Sequence, residues 1–299
     1  MTFGNWWRLL RTYSFPATIV PVICATLTTR RLAPGQVEGW TVLLMLSAAL
    51  LLHAAVNLLN DYYDFTLGYD TEQSSGSSGL LVSGKLRPDQ VLLWARIYLL
   101  LAVVAGLPLV WRRGWPLLIV GILGCLGAYF YSHSRLGYKY GGWGEAAVFV
   151  LMGPLLYCGT SLAVAGICGR NSLLLSLPYG CLVTAIMLVN NLRDVEEDRL
   201  AGFRTLPQVA GPLASRLLLT LLLVAPVPLI LLSIYAGVMP HLTALTLLSV
   251  PALVPLLRDI WRRNSPDRAL KTAPQRTAAV YLLFGILIIA GELGTILLR

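Results

Sequence analysis

Two short acidic segments hold most of the carboxylates in this chain of 299 residues, and their spacing predicts metal chemistry. Nine of the fourteen acids fall in them: Asp61, Asp64, Asp70, Glu72 and Asp89 in the first, and Asp194, Glu196, Glu197 and Asp198 in the second. Asp194 and Asp198 are four residues apart, which stacks their side chains on one face of a helix. Like charges stacked in this way repel, so we expect a cation beside them. Oxygen ligands suit Mg²⁺, which binds through one or two carboxylates together with substrate phosphates.

Asparagines repeat the same spacing in both segments. The pairs separated by four residues are Asn57 and Asp61, Asn60 and Asp64, and Asn190 and Asp194. Two such clusters at corresponding helix ends indicate a weak internal duplication. Together they predict a site in which metal ions bridge the protein to a phosphate.

Direct donors for a phosphate lie beside both segments. The stretch of residues 74–85 is rich in serine and glycine, whose backbone is free to approach an anion, and it ends at Lys85. A flexible linker is the competing interpretation of this stretch. Arg193 immediately precedes Asp194, and Arg204 follows ten residues later. These arginines either neutralise the acids, contact phosphate or follow the general distribution of positive charge.

The composition identifies the setting of these residues. Hydrophobic residues make up 57% of the chain and charged residues only 12%, against roughly 25% in soluble domains, and the mean hydropathy is +0.71. A single soluble core stops growing near about 250–300 residues, so this chain cannot hide so much apolar surface in water. A soluble enzyme, a disordered chain and a nucleic-acid reader are therefore excluded. We expect no nucleic-acid partner, and we assign the net charge of +9 to loops that face anionic lipid.

Apolar runs long enough to cross a bilayer predict the elements that position the acids. We expect an all-α polytopic membrane protein, a bundle of nine transmembrane helices in one domain over residues 1–299. The expected spans lie near residues 12–29, 40–60, 91–111, 115–132, 145–167, 172–192, 214–236, 240–257 and 278–298.

The basic residues predict the orientation. With the N-terminus inside, seventeen lysines and arginines fall in inside segments and six in outside segments. This asymmetry favours a cytoplasmic N-terminus and an outside C-terminus in the inner, cytoplasmic membrane. Both acidic segments then follow an even-numbered span, so we expect the active site to face the cytoplasm.

These motifs resemble those of the UbiA-type intramembrane prenyltransferases. Asn60, Asp61 and Asp64 fit the start of the family's N-D-x-x-D-x-x-x-D motif, with Gly68 in place of its last acid and Asp70 two residues later. Asp194 and Asp198 fit its D-x-x-x-D motif. Residues 81–84, 136–149 and 276–278 are similar to the branch that prenylates 1,4-dihydroxy-2-naphthoate in menaquinone synthesis. Residues 132–135 and 203–204 depart from that branch's pattern; a lysine pair is common at the latter.

The resemblance implies a nine-helix fold and an activity. A polyprenyl group would pass from a polyprenyl diphosphate to an aromatic acceptor, chiefly 1,4-dihydroxy-2-naphthoate, to give demethylmenaquinone. Two Mg²⁺ ions would neutralise the diphosphate. The metal ligands would be Asp61, Asp64, Asp70, Asp194 and Asp198. Glu145 would face the acceptor.

The same resemblance assigns substrate contacts. The acids or the metal waters would be oriented by three asparagines, Asn57, Asn60 and Asn190. Lys85 and Arg193 would contact the diphosphate, and Tyr138 would stabilise the allylic cation. Lys139 and Arg135 would bind the acceptor's carboxylate, and Arg11 would lie at the mouth of the site. His53 is interpreted as a packed intramembrane histidine rather than a ligand.

Two alternatives stay open. The same chemistry could serve another acceptor, such as 4-hydroxybenzoate, homogentisate or a tetrapyrrole. A secondary transporter of an anionic solute is the alternative of another class, since nine spans and half-repeats would allow it. A transporter should place its charges near the midplane of the membrane, whereas these acids lie at helix ends.

Overall fold

The computed structural model describes residues 3–71, 77–134, 136–262 and 267–298, with the side chains of Phe3 and of residues 267–269 left out. All regular structure in these ranges is helical. The α-helices are α1 Phe3–Leu9, α2 Pro16–Leu32, α3 Gly39–Thr66, α4 Pro88–Arg113, α5 Trp115–Phe130, α6 Gly144–Val150, α7 Leu156–Ala165, α8 Arg170–Arg193, α9 Val195–Leu200, α10 Leu206–Val224, α11 Pro226–Tyr235, α12 Val250–Trp261 and α13 Asp267–Leu297. Shorter turns of 3₁₀ helix cover Thr12–Ser14, Tyr138–Gly141 and His241–Ser249.

Seven helical segments of the described chain are long and apolar enough to cross a membrane, which makes this an integral membrane protein. They are Gly39–Thr66, Pro88–Arg113, Gly144–Ala165, Arg170–Arg193, Leu206–Tyr235, His241–Trp261 and Leu270–Leu297. The other two expected spans are also helices, but α2 has 17 residues and α5 has 16. The prediction of a helical membrane bundle is confirmed, whereas the count of nine spans stays a prediction.

Proline and glycine shape the span that consists of α6 and α7. A turn of π-helix, Leu151–Leu155, joins α6 to α7 and contains Pro154, which cannot donate a backbone hydrogen bond. Gly153 in this turn meets Gly180 of α8 so closely that a Cβ would stand 2.7 Å from the Gly180 Cα. Small residues at such a crossing let two membrane helices pack backbone to backbone.

The core surrounds α8, while α4 lies at the periphery. Leu182, Leu188 and Val189 of α8 are buried with side chains of α10 and α13. In contrast, α4 exposes Leu100 and Val104 among several large apolar side chains. Exposed apolar side chains on a spanning helix suit contact with lipid. The second acidic motif therefore ends the most enclosed helix of the bundle.

One buried ion pair joins the C-terminal ends of α2 and α13. The Arg31 guanidinium of α2 donates to the Glu292 carboxylate of α13 at 2.7 Å and to the Val238 carbonyl at 2.6 Å. The Thr28 hydroxyl donates to the same carboxylate at 2.8 Å. Charges inside a membrane protein are costly unless paired, and this pair is satisfied on both sides.

The C-terminal ends of α3 and α8 are brought to the same end of the bundle. The link is the 3₁₀ turn Tyr138–Gly141, whose Tyr140 carbonyl accepts the Arg204 amide at 3.2 Å. The Tyr140 hydroxyl reaches back to Asp64 near the end of α3 at 2.6 Å. The two acidic motifs, separated by about 130 residues of sequence, thus face one common region.

Candidate active site

The end of α3 presents a buried row of polar side chains. Asn57, Asn60, Asp61 and Asp64 are each less than a tenth exposed. The spacing of four places Asn60 over Asp64, and the amide donates to the carboxylate at 2.8 Å. Such a row is expensive to bury unless each group has a partner, so the partners define the site.

Asp64 is surrounded by donors from outside its helix. The Lys139 ammonium donates to Asp64 Oδ2 at 2.6 Å and to Asn60 Oδ1 at 2.8 Å. The Tyr140 hydroxyl donates to Asp64 Oδ1 at 2.6 Å. The Ser132 hydroxyl completes the shell by donating to Asn60 Oδ1 at 3.1 Å. Charge-assisted bonds of this kind fix a carboxylate in one orientation.

Asp61 is paired with Arg11, which precedes the 3₁₀ turn Thr12–Ser14. Arg11 has φ +48° and ψ +49° and is the sole non-glycine residue of the described chain with positive φ. This left-handed conformation costs free energy in a residue with a Cβ. Arg11 Nε and Asp61 Oδ2 are both buried, and neither has a hydrogen-bond partner among the described residues. One donor and one acceptor of this pair are therefore unsatisfied within the described part of the chain.

A chain of hydrogen bonds holds this strained turn. The Ser14 hydroxyl donates to the Arg11 carbonyl at 2.8 Å, so its oxygen accepts from His53 Nε2 at 3.0 Å. With the ring proton on Nε2, Nδ1 of the neutral imidazole is an acceptor, and the Thr18 hydroxyl lies 2.7 Å from it. Asn57 donates to the Leu10 carbonyl at 2.8 Å. His53 is thus a packed histidine, and the residues bonded to it hold the turn that follows Arg11.

The second motif begins where α8 ends. Both oxygens of Asp194 accept from Arg193, through Nε and Nη2 at 2.5 Å each. Asp198 follows one turn later and accepts from the Thr205 hydroxyl at 3.2 Å. Burial, together with the neighbouring Asp194 carboxylate, raises the pKa of Asp198 to about 6. An acid in this setting favours the approach of a cation.

Asp70 has the same character beside the first motif. Gly68 adopts φ +77°, which lets the chain reverse after α3 so that the Tyr69 and Asp70 amides both donate to the Asp64 carbonyl, at 2.8 and 3.1 Å. Burial raises the pKa of Asp70 to about 6. Its Oδ2 is buried and has no hydrogen-bond partner within the described ranges. The glycine of the motif therefore makes the turn that brings Asp70 back beside Asp64.

A cluster of three aromatic rings joins the two motifs. The Phe203 ring lies 4.1 Å from the Tyr69 ring and 4.8 Å from the Tyr140 ring, measured between centroids. The Lys139 ammonium stands 5.3 and 5.8 Å from the Tyr140 and Phe203 ring centres. The motifs alone predicted no role in the site for these three rings. Their positions in the sequence were the available signal, since each ring follows a motif aspartate or Lys139 within five residues.

The remaining candidates divide into those near the acids and those elsewhere. Glu145 is buried at the start of α6 and accepts from Asn191 at 2.8 Å. Asn190 donates to the Ile186 carbonyl of its own helix at 2.7 Å. The Tyr138 hydroxyl donates to the Gly127 carbonyl of α5 at 2.6 Å, away from the acids. Lys85 is exposed in the connection before α4. Glu72 and Arg135 lie outside the described residues.

The acids fit Mg²⁺ by chemistry, although three of the five proposed ligands are paired with basic side chains. Among the residues that the structure describes, no three acidic, histidine or cysteine side chains form a metal-binding group. Basic side chains instead neutralise Asp61, Asp64 and Asp194. The donor set consists of oxygens alone, and Asp61 Oδ2 and Asp70 Oδ2 are buried without partners. Unsatisfied carboxylate oxygens suit a hard cation, which could enter by exchange with the basic partners.

Comparison with known proteins places this arrangement in a family. The profile of the UbiA prenyltransferase family matches residues 19–290. A relative from Bacillus subtilis (strain 168), named 1,4-dihydroxy-2-naphthoate octaprenyltransferase, is 31% identical over 288 residues, which cover 96% of this chain and 91% of the relative. The match spans both acidic motifs and almost the whole bundle.

Solved structures share the fold at lower identity. The apo structure of a UbiA homolog from Aeropyrum pernix K1 superposes with a TM-score of 0.72 at 15% identity, covering 94% of this chain and 98% of the other. A UbiA homolog from Archaeoglobus fulgidus, bound to GPP and Mg²⁺, gives a TM-score of 0.61 at 16% identity, covering 96% and 99%. These likenesses establish a common helical architecture.

Proposed function

The chain belongs to the UbiA prenyltransferase family, and from this premise we propose that it transfers a polyprenyl group from a polyprenyl diphosphate to 1,4-dihydroxy-2-naphthoate with Mg²⁺. The observation that carries the proposal is the meeting of the two carboxylate motifs at one end of the bundle, linked through Tyr140. The name of the Bacillus subtilis relative supports the acceptor. The GPP and Mg²⁺ in the Archaeoglobus fulgidus homolog support the donor and the metal.

In this proposal the acids hold the metal and the basic residues hold the anion. Asp61, Asp64, Asp70, Asp194 and Asp198 are the metal ligands. Bound Mg²⁺ would supply the positive charge that makes a diphosphate a good leaving group. Lys139, Arg11 and Arg193 start as the partners of acids. When cations satisfy those acids, the three basic side chains become available to diphosphate oxygens, which offer the same geometry of acceptors.

The reaction then follows from charge. The C1–O bond of the allylic diphosphate breaks and its electron pair leaves with the diphosphate, so that an allylic cation forms. The electron-rich ring carbon that carries the carboxylate bonds to C1, and the carboxylate then departs as CO₂ and leaves its electron pair to the ring, which gives the quinol form of demethylmenaquinone. The apolar bundle excludes water from the cation. Glu145, buried beside Asn191, is proposed to face the acceptor.

A direct assay tests the proposal. Purified protein in lipid nanodiscs is incubated with farnesyl diphosphate, Mg²⁺ and 1,4-dihydroxy-2-naphthoate, and products are identified by mass spectrometry. We expect a prenylated product that is lost with EDTA. Parallel incubations use 4-hydroxybenzoate, homogentisate and a tetrapyrrole, so a product from one of these alone would replace the acceptor. Absence of product from every acceptor would overturn the enzymatic proposal.

We also propose that the N-terminus and the active site face the cytoplasm, in a single domain of nine spans. Cys168 is exposed in the connection between α7 and α8, which this orientation places outside. A maleimide that cannot cross membranes should therefore label Cys168 in intact cells, and Cys168→Ser should remove that label. Labelling that appears only after the membrane is opened would reverse the orientation.

A further inference from the structure

The two acidic motifs end in the same local structure. In the first, Asp64 is followed four residues later by Gly68 at φ +77°, and then by Tyr69. In the second, Asp198 is followed four residues later by Gly202 at φ +78°, and then by Phe203. Each glycine reverses the chain in a conformation that residues with a Cβ adopt at a cost.

The backbone hydrogen bonds repeat as well. The Tyr69 amide donates to the Asp64 carbonyl at 2.8 Å, and the Phe203 amide donates to the Asp198 carbonyl at 2.9 Å. Each aromatic residue is therefore held by the backbone of its own motif's acid. The two turns are copies of one device, aspartate, three residues, glycine and an aromatic ring.

The two copies face and contact each other. The Tyr69 and Phe203 ring centres are 4.1 Å apart, so the ring of one motif packs directly on the ring of the other. Tyr140 stacks on Phe203 with an interplanar angle of 13° and donates its hydroxyl to Asp64. The Tyr140 ring also lies 5.5 Å from the Tyr69 ring, so the three rings contact one another in one cluster. The stacked pair of Tyr140 and Phe203 has the geometry of aromatic pairs that contribute beyond the area that they bury.

We propose that Tyr69 and Phe203 are positioning residues. The contact between their rings fixes the separation of the two acidic motifs, so that both motifs bind one diphosphate. The inference rests on the proposed function, because it assigns both motifs to one diphosphate. Neither ring touches the reacting atoms. Binding of the anion by one motif should, through this contact, place the other motif for binding as well.

The test compares Phe203→Leu, Tyr69→Leu and the double variant with Phe203→Tyr. Loss of either ring should raise the KM for the prenyl diphosphate about tenfold with a smaller change in kcat. Phe203→Tyr keeps the ring and should stay within about twofold of the wild type. The two leucine effects should combine to less than their product, because either substitution already removes the contact between Tyr69 and Phe203, although each also removes its own ring's contact with Tyr140. Trp94→Leu, which breaks the Trp6–Trp94 ring pair 4.8 Å apart in α1 and α4, serves as the control.

A binding measurement separates this inference from the proposed function. The rise in melting temperature on addition of Mg²⁺ with inorganic pyrophosphate needs no turnover, and it should shrink in Phe203→Leu and Tyr69→Leu but persist in Phe203→Tyr and Trp94→Leu. If the wild type transfers no prenyl group but shows this pattern, the ring contact stands and the proposed function fails. If the wild type is active and the two leucine effects multiply, or KM and the melting shift do not change, the ring contact has no positioning role.

Discussion

At the scale of single residues, three of the five motif acids are paired with basic side chains of the protein itself. Arg11, Lys139 and Arg193 each pair with one motif acid. Without them, several carboxylates would repel one another in a buried space. In the proposed function the same cations would bind diphosphate oxygens once metal ions neutralise the acids.

Removal of a motif carboxylate tests the metal assignment. Asp64→Asn and Asp194→Asn should each lower kcat more than about 100-fold, because an amide cannot supply the charge that holds Mg²⁺. Asp89→Asn is the matched control, since that exposed acid pairs only with the exposed Arg87 in the described contacts. Near-normal prenyl transfer by either motif variant, measured under saturating Mg²⁺, would show that its acid is not a metal ligand.

Lys139 offers a test that does not depend on turnover. Lys139→Met leaves the buried Asp64 without its cation, which costs about 3–5 kcal/mol for a fully buried pair and less here because Lys139 is partly exposed. We expect a lower melting temperature in EDTA and partial recovery in Mg²⁺, which can neutralise Asp64 instead. Lys85→Met should change neither value, since Lys85 is exposed. A variant that melts like the wild type in EDTA contradicts the stabilising role of this pair.

At the scale of elements, α3 binds the N-terminal segment through polar side chains that lie on one of its faces. The face of α3 carries His53, Asn57 and Asp61 at intervals of four, and all three contact the segment around the turn Thr12–Ser14. The N-terminal segment is therefore docked along α3 by polar contacts rather than by apolar packing alone. This ladder explains how a strained Arg11 is kept in place.

His53→Leu tests whether the ladder holds the turn. The variant removes the donor to Ser14 and leaves Thr18 without its acceptor, so the turn should loosen. Amide hydrogen exchange of residues 11–15 should become faster, and kcat/KM should fall several-fold. His241→Leu at the exposed start of the turn His241–Ser249 provides the control. Unchanged exchange in residues 11–15 would show that the turn does not depend on His53.

At the scale of the whole molecule, polar clusters lie at different levels of an apolar bundle. The acidic motifs and the ring cluster lie at one end, whereas Arg31 and Glu292 join α2 to α13 at the other end of α2. The two charges of this second cluster are paired with each other and bonded to Thr28 and to the Val238 carbonyl. We expect this cluster to stabilise the bundle and to take no part in the proposed reaction.

The far ion pair should matter for stability alone. Glu292→Gln leaves Arg31 buried without an anion, so we expect a loss of about 3–5 kcal/mol and a clear fall in melting temperature in lipid nanodiscs. Glu38→Gln breaks the half-exposed pair with Arg112 and should cost at most about 1 kcal/mol. The KM for the prenyl diphosphate should not change in either variant. Equal melting temperatures of the two variants would contradict the importance of burial at Glu292.

The sequence by itself determined the class of the protein and the identity of its motifs. Composition excludes a soluble chain, because the apolar fraction exceeds what one aqueous core can bury. Spacing of four predicted that Asn60 and Asp64 share a helix face, and their hydrogen bond follows from helix geometry alone. These properties are local or additive, so they can be calculated from neighbouring residues and sums.

Only the tertiary structure decided what neutralises the acids and what joins the motifs. Arg11 reaches Asp61 over 50 residues, and Lys139 reaches Asp64 over 75. Phe203, at a position that departs from the family pattern, meets Tyr69 from the other half of the chain. Such partners depend on which helix ends pack together, and that is set by the fit of whole helices and their connections rather than by any periodicity in the sequence.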